Sequence, residues 1–317
     1  MSSLSEGCGK TVLSPEIVQR LQSLGQALDR QQQLCVFDGG FVGFENEPLK
    51  KENEHGSQRR AQRPPAGSRP GQRASTRSRR GKAGEADYFS SEAHERAFGI
   101  ELRTLARHYD ALNFEDKHGL WVVVTSYPLG GRGPQVTFII GILADRRVSP
   151  RTWAFSRLGP RSAPFPLKHT NFPDASVCAF HPDDEAWEPL NGITAFADHL
   201  SIWAVKSLHR QELGWWPGPQ FGHGALYRRN EFVAKEWCGC RSGKRYRECH
   251  QTIDALVDEK AAEAEFESAF GGGYAERMVP RAILDFARSR LKNRPSLQEV
   301  FSARPLKVDF PDLAKVP

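Results

Sequence analysis

The sequence predicts an α+β protein in which an antiparallel strand meander is flanked by helices and followed by a small cysteine-rich knuckle and C-terminal helices. Apolar residues recur at helical spacing over 90–112, which indicates one buried helix face. The period then changes, because LWVVVTSY (120–127) and QVTFIIGILA (135–144) are rich in β-branched and aromatic residues. Gly and Pro residues separate these two runs, so an antiparallel pair is the simplest connection.

Further elements are predicted on both sides of the meander. Ser14 and Pro15 suit the cap and the first turn of an amphipathic helix over 14–30. The run LCVFDGGFVGF (34–44) fits a β-hairpin, whereas the proline-rich stretch 159–190 shows little periodicity. The remaining predicted elements are a strand at 152–156, a helix over 193–209, a helix over 251–269 that ends at three glycines, and a helix opened by Pro280.

Composition limits the classes of protein to which this chain can belong. Of its 317 residues 39 % are apolar, and the longest apolar run is about half of the ~20 residues that a membrane-spanning helix needs. The N-terminus has no apolar segment of the kind found in signal peptides. Three of the six cysteines lie between Cys238 and Cys249, which indicates metal binding in a reducing compartment. We therefore expect a cytoplasmic protein with no membrane contact.

The basic charge is concentrated in residues 50–86. This tract holds eleven Lys and Arg against three Glu, a net charge of +8, so the rest of the chain carries −2 of the total of +6. It contains no Leu, Ile, Val, Phe or Trp, and it cannot bury enough surface to offset the ordering of its backbone. We expect a disordered linker. Weak contact with a polyanion is the alternative, and without interleaved aromatic residues it would not be sequence-specific.

These shifts in composition divide the chain into five regions. The predicted regions are an N-terminal helix and possible hairpin (1–49), the basic linker (50–86), the domain with the meander (87–220), the cysteine-rich knuckle (230–252) and a C-terminal helical region (253–317). The chain contains neither the phosphate-binding loop pattern nor a dinucleotide-binding pattern.

The segment WCGCRSGKRYRECH (237–250) concentrates residue types that bind metals. Cys238, Cys240, Cys249 and His250 offer three thiolates and one imidazole, the donor set of a closed structural zinc site. The order Cys-x-Cys-x-Ser-Gly followed by Cys-His resembles the SEC-C module, a small zinc motif also found at the tail of the bacterial protein-export ATPase. The resemblance implies a docking element that holds a structural Zn²⁺. The alternative is three reduced cysteines that lie close together by chance.

The remaining candidate residue is Cys178, in HTNFPDASVCAFHPDDEAWEP (169–189). His169 and Asn171 precede it, and a Trp-x-Pro element follows it before a predicted helix. This order resembles the ubiquitin-conjugating enzyme (UBC) fold over roughly 88–220. That family has a helix, an antiparallel meander, a His-Pro-Asn motif, the acceptor cysteine and a Trp-x-Pro element. Thr170 replaces the motif's proline, and the chain looks more like divergent bacterial relatives that act in antiviral or conjugation-like operons.

The UBC resemblance implies a thioester-transferring enzyme. Cys178 would carry the C-terminus of a ubiquitin-like modifier or other protein, received from an activating (adenylating) enzyme. Asn171 would stabilise the oxyanion or brace the loop, and His169 would shape the loop. Three alternatives stay open: a non-catalytic UBC-fold adaptor, a Cys–His protease or acyltransferase, and a zinc-dependent nucleic-acid adaptor. The Cys–His alternative would pair Cys178 with His181, His199 or His223.

Overall fold

A computed structural model describes residues 13–30, 33–37, 40–44, 91–129, 133–144, 148–166, 168–180 and 186–303. The basic tract predicted as a linker lies outside these residues, as do Cys8 and His181. The helices are α1 (Pro15–Asp29), α2 (Ser91–His108), α3 (Gly192–Leu213), α4 (Gly224–Glu231), α5 (Gln251–Leu256), α6 (Glu259–Phe270), α7 (Arg281–Arg288) and α8 (Leu297–Ala303). The strands are β1 (Gln33–Phe37), β2 (Gly40–Phe44), β3 (Ala111–Asp116), β4 (Gly119–Thr125), β5 (Thr137–Leu143) and β6 (Arg151–Phe155).

The centre of the fold is a four-stranded antiparallel sheet with the order β3-β4-β5-β6. Val122 of β4 pairs with Ile140 of β5, and Ile140 pairs with Thr152 of β6. Both faces of the two middle strands are buried, which explains why their sequences are continuous apolar runs rather than alternating ones. The predicted α+β class with an antiparallel meander is confirmed.

Helices cover the sheet on both sides. On one face Val122, Val124 and Phe138 pack in the same core as α3, whose Trp203 ring stands edge-on to Phe138. On the other face Trp121 and Trp153 pack against α7 and α8. The Trp121 indole also donates to the Pro295 carbonyl at 3.0 Å. The last region of the chain therefore completes the core of the sheet.

The boundary of the second helix was predicted wrongly. The helix ends at His108, and Leu112, expected on its buried face, lies in the edge strand β3 with 55 % of its surface exposed. Apolar residues spaced by three and four continue past the helix end, because Tyr109 packs in the same core as α2. In β3 apolar Leu112 and Phe114 alternate with polar Asn113 and Glu115, but this strand signal spans only four residues and overlaps the helical spacing.

The C-terminal helices also differ from prediction. The helix expected over 251–269 is two helices, α5 and α6, which separate at Val257 and Asp258. The second of them ends at Gly271 in a left-handed conformation, as the glycines predicted. The short helices α4 and α8, of eight and seven residues, were not predicted. No helix in the described ranges is long and apolar enough to cross a membrane.

The N-terminal helix α1 lies against α3. Gly25 of α1 allows this close approach, because a Cβ atom there would lie inside van der Waals distance of the His209 ring of α3. At the end of α1 the Asp29 carboxylate accepts hydrogen bonds from Arg245 and from the Trp237 indole, both in the knuckle. The predicted hairpin is present as β1 paired with β2.

Candidate metal centre and cysteine loop

The four predicted metal ligands come together in the knuckle. The donor atoms of Cys238, Cys240, Cys249 and His250 all lie within 4.8 Å of one another. The Nδ1 atom of His250 is 3.1 Å from the sulfur of Cys238 and 3.2 Å from that of Cys249. The sulfurs of Cys240 and Cys249 are 3.5 Å apart, much longer than the ~2.05 Å of a disulfide.

The spacing of these atoms fits one tetrahedral ion. Zinc–sulfur bonds of about 2.3 Å and zinc–nitrogen bonds of about 2.0 Å place tetrahedral ligand atoms roughly 3.5–3.8 Å apart. The three closest pairs, 3.1–3.5 Å apart, are shorter than these values by a few tenths of an ångström, and all four donor atoms lie within 4.8 Å of one another. Three thiols and one imidazole are the donors that zinc prefers, so the residues fit Zn²⁺.

Glycines make the tight turns of the knuckle possible. Gly239, between the first two cysteines, has a φ of +74°, and a Cβ atom there would lie 2.5 Å from the backbone nitrogen of Gly222. Gly243, in the Ser-Gly pair, has a φ of +69° at the turn that brings the chain back. A hydrogen bond from the Cys238 backbone to the Lys244 carbonyl closes this turn. The local sequence therefore dictates the return of the chain to Cys249.

Electrostatics in the cluster favour a bound cation. Burial, reinforced by the other two cysteines, raises the pKa of the Cys238 thiol to about 12. At Cys240 burial acts in the same direction, but hydrogen bonds from the hydroxyl and backbone of Ser242 lower the thiol pKa. Burial and the charge of Arg228 lower the pKa of His250, which keeps its imidazole neutral as a ligand must be. A divalent cation among these groups would stabilise the thiolates that otherwise repel one another.

Cys178 lies at the end of a tightly bonded loop, residues 168–178, which we call the cysteine loop. Cys178 is half-buried, and its sulfur lies 3.5 Å from the Phe180 carbonyl. The Cys178 backbone donates to the His169 carbonyl at 2.9 Å, and the Val177 backbone donates to Thr152 of β6 at 2.6 Å. The loop is therefore an extension of the sheet edge.

The structure places Asn171 and His169 within the loop framework. The Asn171 amide donates to the Ser176 hydroxyl at 3.1 Å and to the Val177 carbonyl at 3.4 Å, so it braces the turn between them. The His169 ring bonds to Gln220 at 2.9 Å and stacks on Trp216, with ring centroids 4.2 Å apart. Burial lowers the pKa of His169 well below its ordinary value, and the neighbouring Lys168 adds to this shift.

Buried charged residues connect the cysteine loop to distant parts of the chain. Lys168 forms an ion pair with Glu236, two residues before the first knuckle cysteine, and neither side chain is more than 1 % exposed. Gln220 joins this pair to His169, since its amide donates to Glu236 and its oxygen contacts the His169 ring. A second ion pair joins Arg151 of β6 to Asp174 of the loop, and a third joins Arg277 to Glu231 of α4.

Sequence reasoning missed this network. Lys168 and Glu236 are separated by 68 positions, and neither belongs to a local motif. The only sequence signal would have been the rarity of buried charged residues without partners, which requires knowledge of burial. The Trp-x-Pro element packs against the helix that follows it. The Trp187 ring packs against Phe196 of α3 at 5.0 Å, and its indole donates to Gly192.

The histidines considered as partners of Cys178 make other contacts. The His199 ring nitrogen lies 3.0 Å from the Ala186 carbonyl, and its ring faces Phe180. The His223 ring stands edge-on to Tyr227, with centroids 5.0 Å apart, and to Phe270.

Comparison with known proteins finds no matching family model, no matching curated protein and no matching solved structure. The resemblances to the UBC fold and to the SEC-C module therefore remain predictions from sequence motifs. The coarse class, an antiparallel sheet with helices on both faces, and the clustering of the four metal-ligand residues stand on the structure alone.

Proposed function

We propose that this protein carries an acyl group as a thioester on Cys178 and that its knuckle holds a structural Zn²⁺. The observation that carries the proposal is a half-buried cysteine at the end of a loop held by hydrogen bonds on several sides. The His169 carbonyl, for example, accepts two hydrogen bonds, one from the Cys178 backbone and one from the Trp203 indole. Because the loop is already ordered, little further conformational entropy is lost when the thiol of Cys178 meets an incoming thioester.

The proposed chemistry is an exchange of thioesters followed by transfer to an amine. The Cys178 thiolate attacks the carbonyl carbon of a thioester on an activating enzyme, a new C–S bond forms, and the enzyme's thiolate leaves. An acceptor amine then attacks the same carbonyl, an amide forms, the Cys178 thiolate leaves and the amine's proton passes to solvent. Both steps exchange one good leaving group for another, so neither requires a strong base next to the sulfur.

The acyl donor would be a protein C-terminus, from a ubiquitin-like modifier or another substrate, and the knuckle would serve as the docking element. The apolar side chains of Ile253 and Leu256 in α5, just after the knuckle, are exposed and support contact with a protein partner. The four metal ligands all come from the chain, so the zinc ion would act in folding rather than in catalysis.

A peptide thioester tests the proposal without the natural activating enzyme. The full-length protein is incubated with a short peptide carrying a C-terminal aryl or alkyl thioester, and intact mass spectrometry follows the product. We expect an adduct with the mass of the peptide acyl group, mapped to Cys178 by digestion and removed by hydroxylamine. Cys178→Ser should form it far more slowly, as an oxyester that resists excess thiol.

Cys35→Ser is the matched control, because Cys35 belongs to the β1 strand far from the loop in sequence. This variant should form the adduct at the wild-type rate. Equal acylation of Cys178 and other free cysteines, or an unchanged rate in Cys178→Ser, would contradict a specialised acceptor. Alkylation by iodoacetamide at neutral pH gives a second measure, with Cys178 expected to react faster than Cys35 and Cys8.

A zinc-binding adaptor without catalysis is the second candidate. The position of Asn171 favours it, because its amide donates to Ser176 and Val177 inside the loop rather than toward an oxyanion. In that case Cys178→Ala would leave every partner interaction and cellular activity of the protein intact. Loss of activity in Cys178→Ala, with unchanged stability and zinc content, would exclude the adaptor.

A further inference from the structure

A cavity of about 230 Å³ lies between the second half of α3 and the start of the cysteine loop. The proposed function does not use it. Lys168, Ser207, Arg210, Gln211 and Trp216 are among its lining residues, and no Asp or Glu lines it. Its walls therefore combine an indole surface with several hydrogen-bond donors.

Two cations in the wall are only partly neutralised. Lys168 donates to Glu236 and to the Glu231 carbonyl, which uses two of its three N–H groups, and its ammonium lies 5.1 Å from the Phe232 ring. Arg210 makes no side-chain hydrogen bond or ion pair within the part of the chain that the structure describes. Glu236 is the acidic side chain in contact with the ammonium, and the nearby Glu231 is paired with Arg277, so the group retains a net charge of about +1.

An unsatisfied hydroxyl gives a second, independent sign of a missing ligand. The Ser207 hydroxyl is buried, lines the cavity and has no hydrogen-bond partner among the described residues. Buried polar atoms are almost always bonded to protein, water or ligand. A hydroxyl can donate to an anion, so its position beside Arg210 and Lys168 indicates the kind of group that it lacks.

The end of α3 works against an anion but does not outweigh the cations. A helix C-terminus carries about half a negative charge, spread over its last carbonyls. The Arg210 carbonyl is already satisfied by the Gly214 backbone at 2.9 Å. The guanidinium and the ammonium together carry two full positive charges, which exceed the helix end and Glu236 combined.

We propose that this cavity binds a small oxyanion, a carboxylate or phosphate group, through Arg210, Ser207 and Lys168. The guanidinium offers two parallel N–H groups that match two oxygens of such a group. Trp216 and Pro166 form the apolar wall against which a short organic body can rest. The volume is below that of pockets for drug-sized ligands, which limits the occupant to a small ion or the end of a longer molecule.

Calorimetric titration of the full-length protein with inorganic phosphate and, separately, with acetate tests the proposal. Chloride at matched ionic strength serves as the blank. We expect saturable binding of at least one oxyanion, and the tighter of the two identifies a phosphate or a carboxylate source. Arg210→Gln should weaken binding about tenfold or more, and Ser207→Ala by about threefold to tenfold.

Two further variants keep the outcome interpretable. Arg288→Gln removes an exposed arginine in the last turn of α7 and should leave binding unchanged. Arg210→Lys keeps the charge and should bind more tightly than Arg210→Gln, which guards against a folding defect in the latter. No saturable binding of either ion, or binding that survives in both Arg210→Gln and Ser207→Ala, would overturn the proposal.

Discussion

The ion pair between Lys168 and Glu236 is the contact whose loss should most reduce the stability of this protein. Besides the Lys168 ammonium, the Glu236 carboxylate accepts from the backbones of Trp216 and Val233 and from the Gln220 amide. Glu236 is 0 % exposed. Removal of one charge would therefore leave the other buried without compensation.

The two single substitutions should differ in magnitude. Glu236→Gln removes the negative charge and turns an amide N–H group toward groups that are themselves donors, so we expect a loss of about 3–5 kcal/mol in unfolding free energy. Lys168→Met leaves the carboxylate with three N–H donors, and we expect a smaller loss of about 2–3 kcal/mol. The double variant should lose about 1.5–3 kcal/mol less than the sum of the two, because the pair can be broken only once.

Urea unfolding of the zinc-saturated, full-length protein measures these differences by tryptophan fluorescence. Arg247→Met is the control, because the Arg247–Glu248 pair has side chains 61 % and 52 % exposed and should contribute at most about 0.5 kcal/mol. Losses under about 1 kcal/mol in both single variants, or strict additivity in the double variant, would refute the reasoning from burial.

Three further outcomes follow from the structure. Cys240→Ser should lose stoichiometric zinc by elemental analysis, and the wild-type protein should bind zinc more weakly as pH falls, because protons compete for the ligands. Gly25→Ala should lower the unfolding free energy in urea by about 1–3 kcal/mol, because the new methyl group overlaps the buried His209 ring. The control Gly99→Ala, in α2, has room for its Cβ atom and should raise the unfolding free energy by up to about 1 kcal/mol. Burial lowers the pKa of Lys168 from its ordinary value of 10.5 to about 8. Between pH 8 and pH 10.5 the unfolded chain therefore binds more protons at Lys168 than the folded protein does, so the unfolding free energy should rise with pH over this range. Lys168→Met should not show this rise.

Much of the candidate metal centre could be predicted because its information is local. Cys238 and His250 are twelve positions apart, and the glycines that turn the chain lie between them. The middle strands were also predictable, since burial on both faces makes a strand continuously apolar. The edge strand β3 was not, because its apolar–polar alternation spans only four residues and Leu112 also continues the apolar spacing of the preceding helix.

Cys178 shows the limit of motif reasoning. Its place after the meander was read from the order of His169, Asn171 and the Trp-x-Pro element, and the structure finds it partly exposed on a fixed loop. The direction of the neighbouring side chains could not be read in the same way. The Asn171 amide bonds to its own turn and the His169 ring stacks on Trp216, contacts that depend on how distant segments pack.

The amino-acid sequence by itself determined the α+β class, the paired middle strands and the four residues of the candidate metal centre, because each depends on neighbours within a few residues or on a simple period. Tertiary structure alone decided which charges are buried, which partners they meet and where an unpaired hydroxyl faces a cavity. These features depend on the approach of segments tens of positions apart. Lys168 meets Glu236, and Ser207 and Arg210 of α3 line a cavity with Lys168 of the cysteine loop. Burial is what gives such contacts their energy, and it exists only once the chain has folded.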